Sequence, residues 1–113
     1  MTTRILYDVK QTLGILPDNL GFDLELLIFI NSVKVFLVQQ GITQLEIDID
    51  ETTVWPDFDS LQIGAMVKHY IQAKTKMAFD PTASETISRS LDSLSVELEG
   101  RIAHEVEEVA ANA

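Results

Sequence analysis

The stretch that decides the fold is FDLELLIFINSVKVFLVQQG, residues 22–41, in which apolar side chains recur at helical spacing. One set recurs at alternating steps of four and three, which predicts a helix over residues 22–40 with a heptad-like seam. Its members are Phe22, Leu26, Phe29, Val33 and Phe36. A second apolar set lies on the opposite side of this helix and consists of Leu24, Ile28, Val35 and Val38.

A helix that is apolar on two sides needs a partner on both sides. In a chain of 113 residues, such a helix is either the central element of a bundle or half of a subunit interface. We expect the phenylalanine seam to face the core. From the second set, Leu24, Ile28 and Val35 are predicted to contact another subunit or a protein partner.

Three further helices follow from apolar periodicity. The first is expected over residues 3–13, where Gly14 and Pro17 stop it, and another over residues 61–79. The last begins at about residue 81 and runs into the acidic end of the chain, whose final residues, 110–113, are predicted to fray.

A helix corner is predicted where the third helix meets the fourth. It consists of Phe79, Asp80 and Pro81, with Asp80 as the N-cap of the last helix and Pro81 in its first turn. The expected fold class is therefore all-α: one domain over residues 1–113, built as a small bundle of about four helices. A long acidic loop is expected between helices two and three.

The acidic loop holds six carboxylates and no Lys or Arg within residues 41–60. Leu45, Ile47 and Ile49 alternate with acids, which is typical of a short strand and would require a neighbouring chain as its partner. A calcium loop is disfavoured because Thr53 stands where the sharp turn needs glycine. The acids of this loop that are expected to face solvent are Glu46, Asp48, Asp50 and Glu51.

Two large aromatic residues, Trp55 and Phe58, flank Pro56 inside this polar segment. One interpretation is a satellite core that plugs the open end of the bundle. The other is a protein–protein contact, in which tryptophan is a frequent energetic hot spot. Because burying so acidic a segment is costly, the interface is favoured, and Leu45 and Ile47 are predicted to join it.

Composition narrows the function classes. Eighteen acidic residues against eight basic ones give a net charge of −10, which argues against gripping nucleic acid or an anionic membrane. Cysteine is absent, which excludes thiolate chemistry and disulfides. His69 and His104 lack metal-ligand spacing, and neither a glycine-rich phosphate loop nor a serine-nucleophile motif occurs. No apolar stretch is long enough for a membrane span. We therefore expect that the protein is not an enzyme, that it binds no cofactor or metal ion, and that it does not associate with a membrane.

Several short motifs are similar to those of the head–tail connector, or adaptor, proteins of long-tailed bacteriophages. The most specific is VKHYI at residues 67–71, followed by Lys74, Lys76 and the Phe79-Asp80-Pro81 corner. The resemblance also includes the following segments: the first helix at residues 5–10, INSV at residues 30–33, Trp55 before Asp57 and Phe58, and the final helix with Leu94, residues 97–99 and Arg101. Thr82 and Gly100 depart from the family's pattern.

The resemblance implies a non-enzymatic protein of the virion, located at the head–tail junction and in the host cytoplasm during assembly. Copies would form a ring, matching the portal's dodecamer, beneath the portal protein. That ring would extend the DNA channel without binding DNA specifically, and would dock the stopper or tail-completion protein. Two segments could line that channel: the acidic loop, with Glu46, Asp48, Asp50 and Glu51, or the acidic end of the last helix. An acidic lining repels phosphate, which would let DNA slide.

A different class of protein shares the acidity and the helices. It is a small acidic regulator of the antitoxin or anti-repressor type, which binds one protein partner and does not form rings. Sedimentation across a concentration series would separate the two hypotheses.

Overall fold

The computed structural model describes residues 3–79 and 84–112. Its helices are α1 (Ile5–Thr12), α2 (Asp23–Gln39), α3 (Leu61–Phe79) and α4 (Glu85–Ala111). A 3₁₀ turn, Thr43–Leu45, lies between α2 and α3, and no strand occurs in the described part of the chain. The predicted all-α class is confirmed, with α2 and α3 within one residue of their expected bounds. At the end of the chain, α4 continues into the stretch predicted to fray.

The bundle is organised around α3, which packs against α1, α2 and α4. Its apolar stripe is buried as the periodicity predicts, with Ile63, Val67 and Tyr70 in the core. From α2, the core receives Leu26, Ile30 and Leu37, each fully buried. Val33 and Phe36 pack at the edge of this core, Phe29 is half-buried against Phe79, and Phe22 is exposed. The seam of α2 therefore faces inward as expected, shifted slightly around the helix.

Two of the predicted helix stops use glycine in the left-handed region. Gly14, after α1, has φ +74°, and Gly41, after α2, has φ +103°. A β-carbon at Gly41 would also come within 3.2 Å of Val106 Cγ1. Glycine at this position therefore allows the end of α2 to lie close to α4.

The predicted short strand at residues 45–49 does not form. Leu45 belongs to the 3₁₀ turn, and Asn31 of α2 holds the backbone of Ile49 from both sides: its Oδ1 accepts from the Ile49 N–H and its Nδ2 donates to the Ile49 carbonyl. Extended backbone pairs elsewhere, through a single antiparallel bridge between Arg4 and Val54. A strand at residues 45–49 would have needed a neighbouring chain as its partner. In the structure, this segment instead makes its hydrogen bonds within its own chain.

The helix corner also differs from expectation. Ser84, not Asp80, caps α4, because its side-chain oxygen accepts a hydrogen bond from the Ile87 N–H at 3.2 Å. Asp80 and Pro81 lie outside the described residues. Phe79 ends α3 and packs edge-on against Phe29, with ring centroids 5.3 Å apart. The serine cap begins α4 four residues after the position predicted from proline.

A buried ion pair joins α1 to the start of α2. Lys10 Nζ lies 2.8 Å from Asp23 Oδ1 and donates to the carbonyls of Pro17 and Asn19 at 3.2 and 2.7 Å. The lysine side chain is almost fully buried. The ammonium thus organises the connection between the two helices, which fixes the direction in which α2 leaves α1.

Tyr70 is buried between α2 and α4. Its hydroxyl donates to Glu99 Oε2 at 2.9 Å, and its ring packs against Phe36. Burial, aided by the Glu99 hydrogen bond and charge, raises the pKa of Tyr70 far above its ordinary value. In the folded protein the phenol is therefore still neutral at the pH at which a free tyrosine ionises.

The Tyr70 pKa predicts a loss of stability at high pH. Above about pH 10 the unfolded chain releases the phenol proton while the folded protein retains it, so the free energy of unfolding falls as the pH rises further. Replacing Tyr70 with Phe should flatten this alkaline decline, measured as denaturant midpoints between pH 9 and 11.5. Parallel curves for the variant and the original chain would contradict the assignment.

Candidate functional site

The second apolar set of α2 is left uncovered by the bundle. Leu24 is 72% exposed, Ile28 63% and Val35 50%, although all three belong to a well-packed helix. Ile47 is also exposed and lines a shallow depression together with Val35. We call Leu24, Ile28, Val35 and Ile47 the α2 outer face. Contiguous exposed aliphatic residues of this kind mark interaction surfaces more often than isolated ones do.

The α2 outer face points away from the core of the bundle. The buried residues Leu26, Ile30 and Leu37 are on the opposite side of α2, towards α3, and α3 separates α2 from α4. Val38, from the same predicted set, is only half-buried beside the loop. The helix is thus apolar on two sides, as the sequence indicates, but the fold covers one side only.

Trp55 and Leu45 are core residues, which corrects their predicted place at a subunit interface. Trp55 is 2% exposed, and its Nε1 donates to Asp8 Oδ2 at 2.7 Å. Lys68 Nζ lies 5.5 Å from the centre of the Trp55 ring. Leu45 is fully buried. The segment pairs its backbone and its indole with α1, so the acids stay outside while the tryptophan is buried.

Phe58 is neither fully buried in a satellite core nor fully exposed for a protein–protein contact, the two predicted interpretations. Its ring is half-buried over α3, where a β-carbon at Gly64 would come within 3.3 Å of Phe58 Cδ2. Leu61, one turn away at the start of α3, is almost completely exposed. Phe58 and Leu61 therefore form a small apolar patch at one end of the molecule, separate from the α2 outer face.

The four acids predicted to face a channel or solvent are all exposed: Glu46, Asp48, Asp50 and Glu51. Asp50 also holds the loop together, because its Oδ1 accepts from the Thr52 N–H, the Thr52 hydroxyl and the Thr53 hydroxyl. These hydrogen bonds, those from Thr52 first, lower the pKa of Asp50. Its charge is thus secured at neutral pH.

Cations are few beside the α2 outer face. Lys34 donates its ammonium to the Ile47 carbonyl, which ties α2 to the loop. Glu46 and Asp48 line the depression beside Val35 and Ile47, and Glu25 is exposed on α2 three residues before Ile28. Arg4 lines a separate depression together with Leu24. The face is therefore an apolar strip with a mainly acidic border.

A second surface, which the sequence reasoning missed, lies on the other flank of the bundle. It is a groove between α1, α3 and α4, which we call the α3–α4 groove; its lining residues are Thr12, His69, Gln72, Ala73, Lys76, Leu91 and Leu94. Among the described residues, this lining includes no carboxylate. Leu94 is exposed on α4, and so is Ile87 two turns before it. The sequence did contain one indication of this positive surface, because α3 has three lysines and no acidic residue.

The described residues form surfaces suited to protein contacts, and their titratable side chains are not grouped as in a catalytic or metal site. His69 and His104 are exposed on different helices, and His104 Nε2 lies 3.3 Å from Glu108 of its own helix. Among residues 3–79 and 84–112, no group of three His, Asp or Glu side chains is placed to hold a metal ion. None of the described helices combines the length and hydropathy of a membrane span.

The fold and the α2 outer face define a small helical bundle that presents an uncovered apolar surface beside an acidic loop. A family model described as phage connector protein matches residues 5–109. Because the match spans almost the whole chain, the chain belongs to the phage connector protein family. Membership assigns it to the structural proteins of the head–tail junction, which in general contact portal and tail proteins. Searches of the curated proteins and of the solved structures gave no significant match.

Proposed function

We propose that copies of this chain form a closed ring beneath the portal, extend its DNA channel and dock the next head-completion or tail protein. The observation that carries the proposal is the α2 outer face in a chain of the connector family. Leu24, Ile28 and Val35 would be covered in an assembled state, because aliphatic side chains lose contact with water when subunits associate. Residues 1–113 act as one domain in this proposal.

The charge distribution supports a channel that conducts DNA without binding it. The acids at positions 46, 48, 50 and 51 are all exposed on one loop, and Asp50 is kept ionised by its hydrogen bonds. Where this loop faces the channel, carboxylates repel the phosphate backbone, so the polymer slides. The number of copies follows the portal's dodecamer, because each chain would seat on one portal subunit.

Genetics on the phage that encodes the chain tests the proposal. Removing the gene should leave filled heads without tails, and the wild-type gene supplied in trans should restore joined particles. Ile28→Glu should fold normally yet fail to restore them, because it places a charge in the middle of the α2 outer face. Val96→Glu is the matched control, since Val96 is similarly exposed on α4.

The readout is the ratio of tailed particles to tailless filled heads in electron micrographs, with thermal melts of both purified variants alongside. Joined particles in the absence of the gene would contradict the proposal. So would an acidic regulator's signature: normal virions that lack the chain, together with a one-to-one complex of the chain with a host protein.

A further inference from the structure

Two surfaces on opposite flanks of the bundle have complementary chemistry. The α2 outer face is an aliphatic strip bordered by Glu25, Glu46 and Asp48. The α3–α4 groove has Lys76 and His69 beside Leu91 and Leu94, and its lining in residues 3–79 and 84–112 includes no carboxylate. One surface therefore offers apolar side chains within an acidic border, and the other offers apolar side chains beside positive charge.

The positions of the surfaces restrict how copies can meet. Because α3 lies between α2 and α4, one chain cannot bring its own two surfaces together. A contact that joins unlike surfaces of identical chains is head-to-tail, and it generates a ring when its rotation closes. A contact of the α2 outer face with itself would instead give a closed dimer and would place its acidic borders against each other, which is unfavourable.

We propose that the α2 outer face of one copy occupies the α3–α4 groove of the next copy, so that this head-to-tail contact is the repeating interface of the ring. The inference rests on the proposed function and assigns its subunit contact. Leu24, Ile28 and Val35 pack against Leu91, Leu94 and Ile87 of the neighbour. Of the acids on the border, Glu25 of α2 lies towards Lys76 of that neighbour and sets the direction of the contact, which leaves the acidic loop free to face the channel.

Exposed charge pairs at the border weaken as salt rises, whereas the apolar centre does not. The affinity between copies should therefore fall as the ionic strength rises, but it should not be lost completely, because the apolar centre of the contact remains. The contact also accounts for the exposed first half of α4, where Ile87 and Leu94 continue the seam of buried residues but remain 47% and 42% exposed, so that each has surface left for a partner. The neighbouring copy supplies that partner.

Cysteine cross-linking of the full chain tests the contact directly, because the natural sequence has no cysteine. Chains with Ile28→Cys are mixed with chains with Gln72→Cys, on purified portal rings and in concentrated solution, and treated with a short bismaleimide. We expect a cross-linked dimer that contains one chain of each kind. The double variant should give a ladder of higher multimers. Val96→Cys with Gln72→Cys is the matched control and should give little product.

Charge reversal provides a second readout. Lys76→Glu in the Gln72→Cys chain should weaken the association by about tenfold, since it places a carboxylate against the acidic border of α2. Arg89→Glu makes the same change on the far side of α4 and should leave the yield unchanged. His69→Cys replaces Gln72→Cys if that variant folds poorly, because His69 is exposed in the same groove.

Failure of the contact is distinguishable from failure of the proposed function. Chains that bind the portal but cross-link only as Ile28→Cys pairs, or not at all, would overturn the head-to-tail contact and leave the connector role standing. Chains that do not bind the portal but form the mixed cross-link in solution would support the head-to-tail contact and count against the connector role. Absence of both would overturn both.

Discussion

Replacing Trp55 with alanine is expected to lower the free energy of unfolding by about 3–5 kcal/mol, the range for truncating a buried aromatic side chain. The Trp55 ring is buried, its Nε1 donates to Asp8 at 2.7 Å, and Lys68 lies over its face. Truncation would open a cavity and leave the Asp8 carboxylate without one of its donors. The denaturant midpoint, followed by circular dichroism, measures the effect.

Two controls separate packing from the hydrogen bond. Val54→Ala alters the exposed neighbour of Trp55 and should shift the midpoint little, because surface substitutions have small effects. Trp55→Phe keeps a ring in the cavity but removes the donor to Asp8, so its cost should fall between the other two. A Trp55→Ala variant that melts like the original chain but fails to join tails would instead restore the interface interpretation.

Replacing Lys10 with methionine is expected to cost a similar amount, about 3–5 kcal/mol, because it leaves one partner of a buried ion pair uncompensated. Lys10 is almost fully buried, and its ammonium serves Asp23 together with the carbonyls of Pro17 and Asn19. Methionine preserves most of the apolar stem while removing every one of these interactions. The free energy of unfolding is again measured by denaturation.

The matched control for Lys10 is Arg89→Met, which breaks the exposed pair with Glu85 and should cost well under 1 kcal/mol. Asp23→Asn and the double variant complete a cycle, whose coupling energy reports the Lys10–Asp23 interaction itself. A Lys10→Met cost no larger than that of Arg89→Met would show that the connection between α1 and α2 does not depend on this pair.

Periodicity was enough to predict the helices because each has a stripe that must be buried. The bounds of α3 match those expected, and the glycine stops after α1 and α2 adopt the positive φ that the position requires. The start of α4 was placed too early, since Pro81 is compatible with a first turn but does not require one. Ser84, three residues before Ile87, supplies the cap that the structure uses.

Tertiary pairing explains why Trp55 and Leu45 were misassigned. The indole donor and the backbone of residues 53–55 find partners at residues 3–8, and no local pattern announces a contact over such a separation: Trp55 N–H donates to the Thr3 carbonyl and Ile5 N–H to the Thr53 carbonyl, each at 3.0 Å. The density of acids in the loop suggested exposure of the whole segment. In the fold, the side chains of the loop separate by polarity. Leu45, Ile49 and Trp55 are buried in the core, and the acids are exposed to solvent.

The uncovered side of α2 was predictable, and its partner was not. Two apolar sides on one helix indicate two contacts, and the structure shows which side the bundle fills. The α3–α4 groove is assembled from three helices, so its lining has no signature in any one segment. Only the excess of lysine on α3 indicated that this flank would be positive.

The central claim is that the chain closes into a ring on the portal, and native mass spectrometry of the portal complex tests it most directly. Purified portal rings are mixed with an excess of the full chain, and the complex is separated from free chain before its mass is measured. The account predicts one discrete complex, heavier than the portal by a whole ring of copies, with partly filled rings rare. A portal that carries scattered single copies, or none, would contradict it.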